Sequence, residues 1–259
     1  MFNKQPTSYV DVNQVITSLS LGITEILKEN LIGIYLFGSL AYGDFDEARS
    51  DVDLMTIVKE PVTKVELEKL KQLHRQIEEQ HPKWAGRIEN SYTPQQMLSS
   101  VMPPGARPYY GEGVLQPEAL YGNEWIINLY LLYESGIAIV GPKFGELVET
   151  INIKDVQQAC VRDLFKEWEP KLREPEWLDN GHYQSYLVLN LCRILNTVMN
   201  ATVLSKKKSA AWVMREYPEW KQLVEVAEAW HYGVEMKQKE KTLEFLRFVV
   251  GKVKNRNVK

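Results

Sequence analysis

The sequence predicts an α+β protein with two domains, a mixed α/β domain over residues 1–150 and a helical bundle over residues 151–259. Two features of the hydrophobic pattern carry this prediction. In the first half, short apolar runs typical of strands alternate with amphipathic helices, whereas nearly every periodic segment of the second half has helical spacing. Strands concentrated in one part of a chain and helices in another are typical of the α+β class. A chain of 259 residues is long enough for two such domains.

The first half begins with an amphipathic helix over residues 15–27, followed by an apolar strand over 31–37 that ends at a Gly-Ser pair. A charged, turn-rich segment then leads to a second strand over 51–58. The next helix starts with a capping-box pattern, because Glu66 follows Thr63 by three positions.

A third strand, more weakly patterned, is predicted over residues 86–92. Residues 94–122 contain five of the twelve prolines and several glycines, so we predict a long irregular loop there. Almost all of the remaining chain is predicted to be helical. The helices are predicted over residues 123–135, 154–168, 184–200, 206–216, 219–230 and 235–254.

Composition and charge argue against several classes of protein. The formal net charge is −3, so the chain lacks the basic field that attracts nucleic acid, and a small cationic ligand suits it better. No apolar run approaches the ~20 residues that span a bilayer, and the N-terminus has no apolar signal segment. Cys160 and Cys192 lack metal-ligand spacing and are predicted to be buried in a reducing compartment. We therefore expect a cytoplasmic monomer without membrane or nucleic-acid partners.

The segment FGSLAYGDFDEARSDVDLMTIV places two aspartates inside an apolar strand. Successive strand side chains point to opposite faces, so Asp51 and Asp53 share one face. Two adjacent carboxylates repel each other unless a cation lies between them, and Mg²⁺ prefers such oxygen ligands. Taken alone, the pair also fits a loop cap at Asp51 and a solvent-facing Asp53.

The turn before this strand favours the metal interpretation. Gly38 and Ser39 end the first strand, where exposed backbone N–H groups and a hydroxyl can contact phosphate. A Gly-Ser pair is weak evidence by itself, but together with the Ser-Asp-x-Asp pattern at Ser50 it indicates a phosphate site beside a metal site. The combination predicts a nucleotide bound with Mg²⁺.

This pattern resembles the nucleotidyltransferase superfamily, in which a Gly-Ser pair and a later [ST]-D-x-D bind the triphosphate and Mg²⁺. The resemblance implies a polymerase-beta-like fold for the first domain and a third carboxylate on a neighbouring strand. Glu89, in the segment GRIENSY, is the candidate for that carboxylate. Without the upstream motif, Glu89 would be interpreted as a surface residue of an edge strand.

Three segments resemble a narrower family, the aminoglycoside nucleotidyltransferases of the streptomycin/spectinomycin type. They are GIYLFGSLAYGDFDEARSDVDLMTIV, MPPGARPYYGEG and YLVLNLCRILNTVMNATVLSKKKSAAWVM. The resemblance implies that Glu89 takes the proton from the substrate hydroxyl, that Glu124 lies near adenine, and that the helical domain contributes to the ATP and substrate cleft. The positions that match its triphosphate and metal site are Gly38, Ser39, Ser50, Asp51, Asp53 and Glu89, with Arg193 and Lys206 on the phosphates.

Alternatives exist for the two basic residues. Arg193 could instead lay its stem along a helix with its head in water, and Lys206 could belong to a solvated Lys-Lys-Lys run.

The chain departs from this family where the antibiotic would bind. The family's Gly-Glu-Trp is replaced by Gly-Glu-Gly, which retains Glu112 but loses an aromatic side chain. A family Gly-Asp-Glu is replaced by His-Tyr-Gln from His182 onward, which removes two carboxylates. Trp177 and Asp179 could replace them by stacking on and pairing with a cationic group, although a buried tryptophan and a loop cap explain them equally well.

The resulting hypothesis is an enzyme that transfers AMP from ATP to a hydroxyl of an aminoglycoside or aminocyclitol antibiotic, with Mg²⁺, and so confers resistance. Two alternatives remain open. The acceptor could be a protein or another small molecule, or the chain could be a non-catalytic nucleotide-binding module.

Overall fold

A computed structural model describes residues 5–256, and within them it contains one six-stranded sheet and nine α-helices. The strands are β1 (Leu31–Leu36), β2 (Val52–Val58), β3 (Ile88–Pro94), β4 (Ala106–Gly111), β5 (Val114–Leu120) and β6 (Ile137–Val140). The helices are α1 (Val10–Leu27), α2 (Gly38–Tyr42), α3 (Lys64–Gln80), α4 (Trp125–Ser135), α5 (Ile153–Asp163), α6 (Gly181–Asn200), α7 (Lys206–Glu216), α8 (Lys221–Ala229) and α9 (Lys239–Lys254). The predicted α+β class is confirmed.

The described chain forms two compact units. The first contains the residues up to Phe45 and the segment Ser50–Ile151, and it holds the whole sheet. The second contains the helices from Asn152 onward together with the short segment Asp46–Arg49. In this second unit the Arg49 guanidinium donates a hydrogen bond to the backbone carbonyl of Glu228.

The sheet has the strand order β5-β4-β3-β2-β1-β6. Strands β2 and β3 run parallel, and the other neighbouring pairs are antiparallel. Helices α1 and α3 pack against each other and share a buried apolar core with one face of the sheet. Val52 and Leu54 belong to this core, so strand alternation directs Asp53 to the opposite face.

The predicted irregular loop over residues 94–122 is wrong, because β4 and β5 form a hairpin there. The prolines are placed where strands tolerate them. Pro108 lies at a register irregularity, and Pro117 lies on the edge strand β5, so neither has to donate a ladder hydrogen bond. The turn consists of Glu112 (φ 51°) and Gly113 (φ 76°), the conformation that two-residue hairpin turns favour.

Most other elements agree with the sequence-based expectations to within a few residues. The capping box at the start of α3 is confirmed, with the Glu66 carboxylate 2.8 Å from the Thr63 backbone nitrogen and the Thr63 hydroxyl 3.3 Å from the Glu66 nitrogen. The short strand β6 was not anticipated, since its four residues are too few to show a periodic pattern. Both cysteines are buried as predicted, and burial raises the pKa of Cys160 to about 12. None of the described helices is both long and apolar enough to cross a membrane.

His74 on α3 lies fully buried in the first unit. Its Nε2 atom is 2.7 Å from the Tyr92 hydroxyl, and its ring stacks on Tyr110 at 3.8 Å between centroids. Burial lowers the pKa of His74 to about 3 because the charged imidazolium would lose its hydration. The folded protein therefore holds this histidine neutral.

We expect His74 to destabilise the fold in acid. Below the unfolded-state pKa of about 6.5, the unfolded chain binds a proton that the native chain does not, so stability falls as the pH drops from about 6.5 towards 3. The contribution approaches ~1.4 kcal/mol per pH unit. Urea unfolding at pH 7, 6, 5 and 4 should show a shallower decline for His74→Gln, whereas the control His231→Gln, an exposed site, should keep the wild-type slope. Equal slopes in wild type and His74→Gln would contradict this assignment.

Candidate active site

The parallel pairing of β2 and β3 brings two acidic residues side by side. Asp53 and Glu89 are direct partners in the strand register, so their Cα atoms lie about 5 Å apart. Both side chains point to the face of the sheet opposite the core formed with α1 and α3. Asp51 precedes β2 by one residue and continues the same alternation. The sequence-predicted carboxylates are therefore gathered at the start of two adjacent strands.

Gly38 lies directly against the Asp53 carboxylate. Its φ is +67°, and a Cβ atom built on it would lie 1.9 Å from the Asp53 Oδ2 atom. The backbone N–H of the preceding Phe37 donates to the Asp53 carbonyl at 3.0 Å, which fixes the turn next to β2. Only glycine fits here, because any side chain would displace the carboxylate.

Gly38→Ala should therefore impair activity far more than it impairs folding. The left-handed conformation costs an alanine about 1–2 kcal/mol, and the new methyl group would also push Asp53 out of position. Gly43→Ala is the matched control, since Gly43 has φ +82° but a Cβ atom built on it would meet nothing within 4 Å. We expect similar losses in thermal stability for both variants and a loss of turnover of about 100-fold only for Gly38→Ala. Equal activity in the two variants would show that Gly38 serves the turn alone.

Arg87 holds the segment just before β2. Its guanidinium donates a hydrogen bond to the Ser50 carbonyl, and its Nε atom is 3.8 Å from the Asp51 Oδ1 atom. The same guanidinium lies 4.7 Å from the ring centroid of Trp84, which limits its movement. Arg87 is not among the site residues predicted from the sequence. Its position two residues before Glu89, in the strand predicted over residues 86–92, could have indicated a cation near the aspartates.

Tyr109 on β4 contacts Glu89. Burial raises the pKa of Tyr109, and so do the negative charge of the Glu89 carboxylate, hydrogen bonding to it and the charge of Asp53. The phenol therefore stays protonated. The sequence does not single out this residue, because the prolines around it predict an irregular loop where β4 lies.

The two other acidic candidates of the first unit occupy different places. Glu124 precedes α4 as its N-cap residue, and its Oε1 atom accepts a hydrogen bond from the Gly122 backbone nitrogen at 2.9 Å. Glu112 is exposed in the turn between β4 and β5. The antiparallel register places that turn at the end of the sheet where β3 begins.

The second unit contains the basic candidates. Arg193 lies on α6, where its guanidinium donates to the Asn190 side-chain oxygen at 3.0 Å. Lys206 begins α7, and its ammonium lies 4.4 Å from the ring centroid of Tyr186. The two lysines that follow Lys206 are exposed, as expected for a solvated face.

Trp177 and Asp179 lie close in sequence but have different partners. The Trp177 ring centroid is 5.8 Å from those of Trp168 and Tyr183, within a larger aromatic cluster. The Asp179 carboxylate pairs with the Lys239 ammonium at 2.6 Å. A cationic ligand would have to compete with Lys239 for this carboxylate.

The carboxylates fit a magnesium ion that shares its coordination with phosphate. Within residues 5–256 no group of three or more His, Cys, Asp and Glu side chains is arranged to hold a metal ion by itself. Mg²⁺ is usually bound by one or two carboxylates plus water and substrate phosphates, and the missing Cβ of Gly38 lets the backbone of this turn lie against the Asp53 carboxylate. The donor set therefore suits Mg²⁺ bound with a nucleotide.

Two protein families match the chain in succession. The nucleotidyltransferase domain family matches residues 22–92, which include Gly38, the aspartates and Glu89. The family described as aminoglycoside adenylyltransferase, C-terminal domain, matches residues 146–256, which include Arg193 and Lys206.

Individual relatives agree with these matches. The chain is 25% identical over 211 residues to the spectinomycin 9-adenylyltransferase of Enterococcus faecalis, a match covering 76% of this chain and 78% of that protein. It is 41% identical over 61 residues to a protein of Methanocaldococcus jannaschii described as a candidate protein adenylyltransferase. That second match covers 24% of this chain and spans 61% of the length of the archaeal protein.

A solved structure shares the fold. The crystal structure of a spectinomycin adenyltransferase from the genus Enterococcus, determined with ATP and spectinomycin, superposes with a TM-score of 0.75 at 23% identity. It covers 93% of this chain and 99% of that one. The chain is therefore an enzyme with a nucleotidyltransferase domain followed by an aminoglycoside adenylyltransferase C-terminal domain, and it shares the fold of the solved spectinomycin adenyltransferase.

Proposed function

We propose that the protein transfers AMP from ATP to a hydroxyl of a small cationic antibiotic of the aminoglycoside or aminocyclitol type. The observation that carries this proposal is the register pairing of Asp53 with Glu89 beside the Gly38 turn. One carboxylate of such a pair can hold a metal and the other can accept a proton. The match of the second unit to the adenylyltransferase C-terminal domain supports the choice of acceptor class.

In the proposed reaction, the oxygen of the acceptor hydroxyl attacks the α-phosphorus of ATP, and the bond between this phosphorus and the bridging oxygen of pyrophosphate breaks. Glu89 accepts the proton of the hydroxyl, a role worth about 10² to 10⁴ in rate. Asp51 and Asp53 would hold Mg²⁺, which when bound neutralises charge on the α-phosphate and the leaving pyrophosphate. Arg87 holds the Asp51 carboxylate and the Ser50 backbone carbonyl in place.

The remaining nucleotide contacts are proposed from residue chemistry. Ser39 and Ser50 offer hydroxyl donors to the triphosphate, and Glu124 is assigned to adenine. Arg193 and Lys206 are assigned to the phosphates, for which a planar guanidinium and a compact ammonium are suited.

The acceptor site is proposed to include Glu112, Trp177 and Asp179. Carboxylates attract the cationic groups of aminoglycosides, and a tryptophan face binds such cations as well. The relatives named for spectinomycin make spectinomycin the first acceptor to test and streptomycin the second. We propose that antibiotic resistance is the physiological role, that the enzyme works as a cytoplasmic monomer, and that it needs neither nucleic acid nor membrane.

Pyrophosphate release by the purified protein tests this proposal. The assay contains ATP and Mg²⁺ with spectinomycin, streptomycin or other aminoglycosides, one at a time, against acceptor-free and EDTA-treated controls. We expect release that depends on one acceptor and disappears when Mg²⁺ is chelated. Release that is equal with and without every antibiotic would contradict the proposed acceptor class.

The similarity to the candidate protein adenylyltransferase favours a second function, transfer of AMP to a protein side chain. It rests on the same carboxylates and changes only the acceptor. The short length of that match and the family of the second unit make it the less supported alternative.

A further inference from the structure

The neighbour of Glu89 on strand β4 is a glycine. In the antiparallel register of β3 and β4, Ser91 pairs with Tyr109 and Asn90 pairs with Tyr110. The next position along the same register places Gly111 opposite Glu89. The strand therefore has no side chain of its own at the position nearest to the proposed base.

The Tyr109 side chain occupies the space that Gly111 leaves. A Cβ atom built on Gly111 would lie 2.7 Å from a ring carbon of Tyr109 and 2.8 Å from its hydroxyl oxygen. The phenol thus lies along the strand over Gly111, and its hydroxyl reaches the position across from Glu89, close enough for hydrogen bonding to that carboxylate to help raise the pKa of Tyr109. A larger residue at position 111 would exclude this arrangement.

The Tyr109 ring also lies close to a buried arginine. The Arg107 guanidinium lies 4.9 Å from the Tyr109 ring centroid and is itself buried. It donates to the backbone carbonyls of Ala119 and Leu120 at 2.7 and 3.0 Å, which ties it to strand β5. Gly111 and Arg107 therefore fix the position of the Tyr109 phenol next to the Glu89 carboxylate.

We propose that Tyr109 is a positioning residue for the proposed base. Its hydroxyl holds one carboxylate oxygen of Glu89, so that the other oxygen faces the acceptor hydroxyl. This inference rests on the proposed function of Glu89 and adds a residue that acts through it. Because the hydroxyl acts through Glu89, its loss should affect turnover and not ATP binding.

Tyr109→Phe tests the proposal with the ring retained. A lost hydrogen bond to a charged group predicts a kcat reduced by about 10- to 100-fold with the KM for ATP unchanged. Gly111→Ala should lower kcat in the same way, since its methyl group would push the ring aside. Tyr110→Phe is the control, because Tyr110 lies on the opposite face against His74 and should leave kcat unchanged.

A second readout separates this inference from the proposed function. The side-chain carboxyl ¹³C resonance of Glu89, assigned by its loss in Glu89→Gln, should shift in nucleotide-free Tyr109→Phe and stay in place in Tyr110→Phe. An unshifted resonance would overturn the inference whatever the activity, and so would an unchanged kcat. If wild type modifies no antibiotic, the proposed acceptor fails, and the resonance alone decides the role of Tyr109.

Discussion

Asp53→Asn should reduce pyrophosphate release by about 10³-fold, the loss expected when a fixed electrostatic group at the reacting phosphate is removed. The neutral amide cannot hold Mg²⁺ as a carboxylate does, and ATP bound with Mg²⁺ should lose affinity as well. Folding should not suffer, because the substitution removes one of two like charges that are neighbours in the strand register. Thermal unfolding in the absence of Mg²⁺ should therefore occur at the wild-type temperature or slightly above it.

Glu118→Gln provides the matched control for Asp53→Asn. Glu118 is an exposed carboxylate on the edge strand of the same sheet, so its neutralisation should leave both activity and stability unchanged. Wild-type turnover in Asp53→Asn, or an equal loss in both variants, would contradict the assignment of Asp53 to the metal.

Glu89→Gln should lower kcat by about 10² to 10⁴-fold, because glutamine cannot accept the proton of the attacking hydroxyl. The expected difference from Asp53→Asn lies in nucleotide binding. If Glu89 serves as the base, the Kd for ATP with Mg²⁺ should stay near the wild-type value, whereas metal ligation by Glu89 requires it to rise. Calorimetric titration of both variants with ATP and Mg²⁺ distinguishes the two roles.

The parts of the site that depend on short motifs could be predicted from the sequence. The Gly-Ser turn, Asp51 and Asp53 follow from spacing and strand alternation within a single segment. Glu89 required a judgement about a second segment, and the register partnership with Asp53 bears out its placement on a neighbouring strand.

The missed features depend on contacts between distant segments. Prolines made the hairpin of β4 and β5 look irregular, since a sequence does not reveal that Pro117 lies on an edge strand. Because the hairpin was not predicted, the sequence could not show where Tyr109 lies or that Arg107 contacts its ring. Likewise, the pairing of Asp179 with Lys239 joins residues 60 positions apart, which no local pattern indicates.

The most direct test of the central claim follows the α-phosphate of ATP. The protein is incubated with ATP labelled at that phosphate, Mg²⁺, and spectinomycin or streptomycin, and the label is then separated into free AMP, antibiotic and protein fractions. The account predicts label in the antibiotic fraction, unlabelled pyrophosphate in equal amount, and no transfer by Asp53→Asn. Label confined to the protein fraction or to free AMP would contradict it.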